Sequence, residues 1–258
     1  MNAPIDATIN APINAPMSIQ SCGNCGLASM CLPLGLSQPE RTQLDGIIKK
    51  SAPYRRGESI FRQGDAFNSI YAVRAGMVKT TVINARGEEQ ITGFYFPGEL
   101  LGLNSLHENV YMGTAITLET VSVCEIPFVK LDELSALLPQ LRRQLMRQMS
   151  QEISDEQNMM LVLAKTSAEE KLGNFLIRLS HRFKRLGFSA TQFRLTMSRV
   201  DIGNYLGLAV ETVSRTLTKL QKRGVIKVEG KEVTIIDMER LSCLNDTNQE
   251  QFQAPYLS

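Results

Sequence analysis

The chain has little of what enzymes and exported proteins usually carry. Among its 258 residues there is no Trp, and the two His residues are His107 and His181. No acid, base and nucleophile occur at a spacing that would bring them together, so the sequence does not predict an enzyme. The first basic residue is Arg41, which argues against a signal or transit peptide. No uncharged apolar run approaches the ~18 residues of a membrane span. We therefore expect a cytoplasmic protein without membrane contact.

Cysteine is scarce but clustered. Three of the five cysteines, Cys22, Cys25 and Cys31, form a Cys-x2-Cys-x5-Cys run. In a reducing cytoplasm this spacing favours metal binding or redox sensing over disulfides. Tetrahedral centres need four ligands, and Cys124 in the segment VSVCEI is the natural fourth. Thiolate chemistry alone leaves zinc and an iron–sulfur cluster equally open. We expect Cys243 to be a plain thiol.

Composition and periodicity predict an α+β chain of six regions. Short alternating segments broken by glycine are typical of an antiparallel β-roll, and a long helical stretch follows them. The net charge is only +2, yet Lys and Arg outnumber Asp and Glu between Arg178 and Arg240, as expected of a DNA-facing half. The predicted regions are a disordered leader (1–20), a cysteine-rich cluster-binding segment (21–50), a β-roll sensor domain (51–130), a dimerisation helix (131–166), a winged helix-turn-helix domain (167–245) and a tail (246–258).

The long helical stretch contains a predicted seam, a stripe of mostly apolar side chains along one face of the helix. Pro139 can open it in the first turn, and no Gly or Pro follows until Gly173. Seam positions then alternate at spacings of three and four, which is typical of a helix that pairs with a copy of itself. The alternative is packing against the chain's own β domain. Glu156 breaks the apolar run of the seam, whose other members are Met146, Met149, Ile153, Met160, Leu163 and Ser167.

Glu156 suggests a dimer switch. In a parallel dimer its two copies would repel each other and lose hydration, with Ile153 as a nearby apolar contact. Such a dimer would be marginal, so a metal centre on the cysteines could decide its assembly. The alternative is that Glu156 reaches outward to Arg147 or Lys165.

A DNA-reading motif precedes the C-terminus. Gly207 fits the tight turn of a helix-turn-helix, and Gly203 fits the close crossing of its helices. Ser198 is a plausible N-cap for the first helix. Residues 225–236 alternate around a turn, which predicts a β-hairpin wing.

The second helix of this motif presents Glu211, Ser214 and Arg215 outward from its N-terminal half, the part that enters a major groove. Arg215 can bond guanine, Glu211 can accept from cytosine, and Ser214 can bond a base or a phosphate. The alternative is a Glu211–Arg215 surface ion pair. Suitable phosphate contacts are Lys219, Lys222, Arg223 and Lys227.

Together these motifs resemble the anaerobic regulators of the fumarate and nitrate reduction type, within the cyclic-AMP receptor protein superfamily. The resemblance covers roughly residues 21–236 and rests on the cysteine run with its distant partner, the β-roll, the seam helix and VETVSRTLTKLQ. It implies a [4Fe-4S] cluster on Cys22, Cys25, Cys31 and Cys124. In that family the intact cluster favours a DNA-binding homodimer without oxygen, and oxygen converts it to a [2Fe-2S] form that dissociates.

The resemblance also implies a DNA sequence and a protein partner. Arg215 would read a guanine, Glu211 a cytosine and Ser214 a thymine in TTGAT half-sites of an inverted repeat. RNA polymerase would contact surface loops, including residues 84–89. Such a protein activates or represses genes of anaerobic metabolism.

One departure from the superfamily argues against a cyclic nucleotide. Cyclic-nucleotide sensors neutralise the buried phosphate with an Arg that follows a Pro-Gly-Glu segment. Here Pro97-Gly98-Glu99 is present, but no Arg occurs between Arg86 and Arg142, where Lys130 is the only basic residue. An unpaired buried phosphate would be costly. The remaining alternative is the same architecture with the cysteines as a zinc or thiol redox site.

Overall fold

The computed structural model describes residues 21–165 and 167–244, without the side chain of residue 165. The predicted leader (1–20) and tail (246–258) lie outside these ranges. Among the described residues the helices are α1 (Gln38–Ile47), α2 (Phe128–Leu137), α3 (Pro139–Lys165), α4 (Ala168–Arg185), α5 (Arg199–Leu206), α6 (Val210–Lys222) and α7 (Met238–Cys243). The strands are β1 (Lys49–Lys50), β2 (Ser59–Phe61), β3 (Ser69–Ala75), β4 (Val78–Ile83), β5 (Glu89–Tyr95), β6 (Leu100–Leu101), β7 (Thr114–Thr117), β8 (Ser122–Pro127), β9 (Gln192–Arg194), β10 (Ile226–Glu229) and β11 (Glu232–Ile235).

Two antiparallel four-stranded sheets form the predicted β-roll. Their strand orders are β1-β8-β3-β6 and β2-β7-β4-β5. Val73 and Val123 of the first sheet meet Val78 and Ala115 of the second in a shared core. Strand β3 is buried on both faces rather than alternating, because helices and the cysteine segment cover the outer face of its sheet.

The helical stretch after the roll is divided at Leu138. This residue precedes a proline and has extended backbone, as steric contact with the proline ring favours. Helix α3 begins at Pro139, as predicted. The seam position assigned to Ser167 is wrong, because Ser167 lies beyond α3 and caps α4. Its hydroxyl accepts a hydrogen bond from the backbone N–H of Glu170, which requires non-helical backbone at the cap.

Helices α5 and α6 form the predicted helix-turn-helix. Ser198 caps α5, and Gly207 closes it with a positive φ of 63°. A Cβ on Gly203 would lie 2.6 Å from the carbonyl oxygen of Leu208, so the helix crossing requires glycine there. The predicted hairpin is β10–β11. A third strand that was not predicted, β9, pairs with β11 and widens the wing.

The core of the C-terminal half continues onto the β-roll. Met77, Ile91, Phe94 and Phe96 pack in one cluster with buried residues of α4, α5 and α6. Arg182 of α4 donates a hydrogen bond to the carbonyl oxygen of Phe94 at 2.8 Å. Within the described ranges, no helix is long and apolar enough to cross a membrane.

Candidate cysteine centre and DNA-reading face

The cysteine-rich segment lies on the outer face of the first sheet. A 3-10 turn at Cys22–Asn24 is followed by further turns, and Leu32 and Leu36 anchor the segment in the core beneath it. The backbone N–H of Cys22 donates to Asp45 Oδ1 of α1 at 3.0 Å. Packing against α1 and the sheet therefore fixes both ends of the loop.

Cys124 completes the group from the sheet. It lies in β8, where its Cα pairs with those of Lys50 and Ala72 on the neighbouring strands. Its side chain lines the same cavity as three cysteines of the N-terminal segment. The lining is Cys22, Cys25, Leu27, Cys31, Leu32, Pro33, Leu44, Ile48, Ala72, Val73, Arg74, Cys124 and Ile126. The structure thus brings the four predicted cysteines together around a largely apolar space.

The environment of Cys22, Cys31 and Cys124 disfavours the charged form of their thiols. Burial, with a smaller contribution from the neighbouring cysteines, raises the pKa of Cys22 and of Cys31 to about 12. Burial also raises the pKa of Cys124, although Arg74 acts in the opposite direction. All four cysteines are partly exposed and none is in a disulfide. A metal centre would have to displace protons from these thiols.

The cysteines surround the cavity rather than a single point. Over residues 21–165 and 167–244, no three His, Cys, Asp or Glu side chains converge closely enough to hold one metal ion. The four thiols and their apolar surroundings fit a centre that takes four cysteine ligands, as an iron–sulfur cluster or zinc does. Cys243 is exposed and lies in α7, away from this group.

The recognition helix α6 has one buried and one exposed face. Val213, Leu217 and Leu220 are buried. Glu211 and Arg215 are exposed, and Ser214 is partly exposed beside them. The ion pairs among the described residues do not include Glu211 with Arg215. Arg215 instead donates to the hydroxyl of Thr212 at 3.3 Å. The three predicted base-reading side chains therefore lie on one open face.

Two of the four predicted phosphate contacts share one acidic partner, Glu169, that sequence reasoning missed. Glu169, in the first turn of α4, pairs with Lys219 and with Arg223, whose Nη1 lies 2.7 Å from Glu169 Oε2. Lys227 pairs with Glu229 on the wing. Glu169 is fifty residues from Lys219 in sequence, so no local pattern relates them.

Comparisons with known proteins agree with this architecture. The Crp-like helix-turn-helix domain family matches residues 170–244, and the cyclic nucleotide-binding domain family matches residues 52–136. The transcriptional activator protein FnrA of Stutzerimonas stutzeri is 56% identical over 223 residues, which are 86% of this chain and 91% of FnrA. The chain belongs to the fumarate and nitrate reduction regulator family. It is a transcription regulator with a DNA-binding helix-turn-helix, and not an enzyme.

A second relative and a solved structure are also similar to this chain. The anaerobic regulatory protein of Aggregatibacter actinomycetemcomitans is 48% identical over 232 residues, which cover 90% of each chain. The structure of FixK2 from Bradyrhizobium japonicum matches with a TM-score of 0.71 and 28% identity, over 77% of this chain and 98% of that one. The predicted family and fold class are confirmed.

In this family member, α3 carries the predicted switch residues on an open face. Ile153 is 55% exposed and Met160 is 69% exposed, and Glu156 between them is also exposed. No ion pair joins Glu156 to Arg147 among the described side chains, and the side chain of Lys165 lies outside them. The exposed apolar stripe leaves the face free for a partner helix.

Glu152, one turn before Glu156, faces the other way. The hydroxyl of Tyr95 in β5 donates to Glu152 Oε1 at 3.0 Å. Burial, together with the charges of Glu156 and Glu99, raises the pKa of Glu152 to about 7, although the hydrogen bond from Tyr95 acts in the opposite direction. Sequence reasoning missed this residue, because its only pattern signal is a helical position next to the seam.

Proposed function

We propose that the chain is an oxygen-responsive transcription regulator that binds a [4Fe-4S] cluster through Cys22, Cys25, Cys31 and Cys124. The observation that carries the proposal is the meeting of these four thiols at one largely apolar cavity. When bound, such a cluster supplies a link between loop and sheet that oxygen can break. One relative is named an anaerobic regulatory protein, which supports oxygen as the signal.

Zinc is the competing centre. A tetrahedral zinc site also takes four cysteine sulfurs, at about 2.3 Å from one ion. An iron–sulfur cluster binds each thiolate at a separate iron, so its ligands lie farther apart. The apolar lining also favours a centre shielded from water. This lining and the relative named an anaerobic regulatory protein support the cluster over the zinc or thiol redox alternative.

The test is purification without oxygen, with iron, sulfide and zinc analysis and a visible spectrum before and after air. We expect a brown protein with about four irons per chain, whose absorption is lost in air. Cys124→Ser should abolish the colour. Cys243→Ser should leave it unchanged, because Cys243 lies outside the cavity. A colourless wild-type protein with stoichiometric zinc would overturn the cluster assignment.

For DNA, we propose that the homodimer reads inverted repeats of TTGAT. The open face of α6 supports assigning guanine to Arg215, cytosine to Glu211 and thymine to Ser214. Arg215→Ala should weaken specific binding by about 1–3 kcal/mol and relax the preference for guanine. Lys222→Ala, an exposed change on the same helix, should weaken all sequences alike. Equal losses on specific and unrelated DNA for Arg215→Ala would contradict this assignment.

The remaining partners follow from the same structure. The exposed stripe of α3 supports a homodimer. The loop at 84–89 connects β4 and β5 as an ordered turn, in which Asn84 Oδ1 accepts from the backbone of Arg86, and we propose it as a contact for RNA polymerase. Glu99 is engaged by Arg182 and Arg185, which argues against the use of this carboxylate by a cyclic nucleotide. We expect the regulator to act in the cytoplasm.

A further inference from the structure

Three glutamines on α3 face the cysteine segment. Gln140, Gln144 and Gln148 are four residues apart, so they share one side of the helix. Gln144 Nε2 donates to the carbonyl oxygen of Cys31 at 3.4 Å, and Gln148 Nε2 donates to that of Met30 at 3.2 Å. These amides contact the backbone of the loop that carries the predicted ligands.

The third glutamine, Gln140, also lies against the cysteine segment, at Gly35. A Cβ on Gly35 would lie 2.5 Å from Gln140 Nε2, so the side-chain amide of Gln140 lies close against the loop at this point. Gln144 is 6% exposed, which leaves water little access to the contact. Three successive turns of α3 therefore follow the course of the cysteine segment.

The same helix presents a different face to solvent. Met146 is 63% exposed and Met160 is 69% exposed, whereas Gln144 is buried. Helix α3 thus lies between the cysteine loop on one side and the face free for a partner on the other. A displacement of the loop carbonyls would therefore change the hydrogen bonds to α3, the helix that carries the face for a partner.

Hydrogen bonds make this contact dependent on position. The carbonyl oxygen of Cys31 also accepts from the backbone N–H of Leu34, and the glutamine amides add their hydrogen bonds only when loop and helix are in register. An apolar side chain of equal volume would fill the space but would tolerate sliding. The hydrogen bonds of the glutamines therefore depend on the conformation of the loop, which apolar packing alone would not.

We propose that Gln144 and Gln148 are positioning residues that couple the cysteine centre to dimerisation through α3. This inference rests on the proposed function, in which cluster binding favours the dimer. The glutamines do not ligate the metal. They transmit the conformation that the bound centre imposes on Met30 and Cys31.

The test uses the full chain with Gln144→Met and Gln148→Met combined, and Asn158→Leu as the control. Both kinds of change keep the side-chain volume and remove the amide donor, and Asn158 is exposed on α3 away from the face of Ile153 and Met160. Each protein is purified without oxygen, and its iron content, visible spectrum and dimerisation constant are measured before and after air. Hydrogen exchange of the 25–34 segment is measured in parallel on the metal-free chains.

We expect the double variant to keep the wild-type spectrum and iron content. Its ratio of anaerobic to aerated dimerisation constants should fall by roughly tenfold, as the loss of two neutral hydrogen bonds implies. Exchange in the 25–34 segment should be faster than in wild type and in the control. If the glutamines had a merely structural role, the double variant would contain less iron. The protein that still held the cluster would then keep the wild-type ratio of dimerisation constants.

Two other results would overturn the inference in distinguishable ways. A double variant with intact spectrum, wild-type ratio and unchanged exchange would exclude the glutamine coupling alone. A wild-type protein without a cluster, or with a dimerisation constant insensitive to air, would overturn the proposed function together with the coupling.

Discussion

Lys79 of β4 and Asp201 of α5 form an ion pair in which Nζ lies 2.8 Å from Oδ1. Both side chains are mostly buried, at 17% and 16% exposure, so the pair is worth more than an ordinary surface contact. Asn204 lies one turn further along α5, and its Oδ1 accepts from the backbone N–H of Ile91. The first helix of the DNA-reading motif is thereby fixed to the second sheet of the β-roll.

Removal of the Lys79 charge should therefore destabilise the chain. Burial raises the pKa of Asp201, but hydrogen bonds from Lys79 and Ser198 outweigh burial and hold this pKa below its ordinary value of 3.8. The stabilisation is thus fully present above pH 3.8 and is lost as pH falls through the lowered pKa of the folded state. Lys79→Met should lower the free energy of unfolding by about 1–3 kcal/mol at neutral pH.

Urea denaturation of Lys79→Met and wild type at pH 7 and at pH 3 checks this expectation. The difference between them should shrink at the lower pH. Lys227→Met is a suitable control, because Lys227 is 56% exposed and pairs only locally with Glu229. Equal destabilisation by the two variants, or a pH-independent difference, would argue that the Lys79 contact is not electrostatic.

Glu152 should show the opposite pH dependence. Burial raises its pKa from 4.5 to about 7, so its contribution to stability is present below pH 4.5 and is lost as pH rises through 7. Glu152→Gln removes the charge and keeps an oxygen for the Tyr95 hydroxyl. It should raise the Tm of the aerated protein at pH 8 and change it little at pH 5.

Calorimetry at the two pH values measures this difference. The exposed Glu133→Gln on α2 should leave Tm unchanged at both. An equal rise at pH 5 and pH 8 for Glu152→Gln would show that a cause other than the carboxylate charge is responsible.

The helix-turn-helix could be predicted because its constraints are local. Gly203, Gly207 and Ser198 act on residues within five positions, so a short pattern contains the cause. Strand β9 was missed for the converse reason. Its three residues are too few to show alternation, and its pairing with β11 is a distant contact.

The candidate site divides in the same way. Spacing identified Cys22, Cys25 and Cys31, and elimination suggested Cys124, but only the fold brings Cys124 to their cavity. The glutamine contacts depend on how α3 packs, and Gln144 is 113 residues from Cys31. Charge partners such as Glu169 depend on packing too. Residue identity predicts which groups can do chemistry, whereas tertiary contact decides what they meet.

The two glycines of the helix-turn-helix should respond differently to substitution. A Cβ at Gly203 would overlap the Leu208 carbonyl, so Gly203→Ala should cost about 1–3 kcal/mol of unfolding free energy. Gly207 has open space but a φ of 63°, and Gly207→Ala should cost about 1–2 kcal/mol. Asn tolerates this backbone region. Gly207→Asn should therefore recover stability, and Gly203→Asn should not.

Thermal denaturation of the four variants separates the two causes. Recovery by Asn at both positions would refute the close helix crossing at Gly203. A lack of recovery at Gly207 would refute backbone strain as the reason for glycine there.

Glu169 should weaken the phosphate contacts of α6. Its half-buried carboxylate pairs with Lys219 and Arg223, and both cations would otherwise be available to DNA. Glu169→Gln should tighten binding to unrelated DNA at low salt. The slope of log affinity against log salt should steepen by about one for each cation released.

Fluorescence anisotropy over a salt series measures that slope, with the exposed Glu232→Gln on the wing as a matched change of charge. An unchanged slope for Glu169→Gln would mean that DNA phosphates do not engage these cations. Identical slopes in both variants would attribute the effect to net charge.

Glu156 should oppose dimerisation in air. It is exposed on the α3 face that carries Ile153 and Met160, so a partner helix would bring two carboxylates together. Two like charges near contact repel by about 1 kcal/mol in water and by more when they are partly desolvated. Glu156→Ala should therefore raise the dimerisation constant of the aerated protein by roughly tenfold. Sedimentation velocity measures it, with the exposed Gln157→Ala as control. If Glu156→Ala remains as monomeric in air as wild type, the carboxylate is not the element that keeps the dimer marginal.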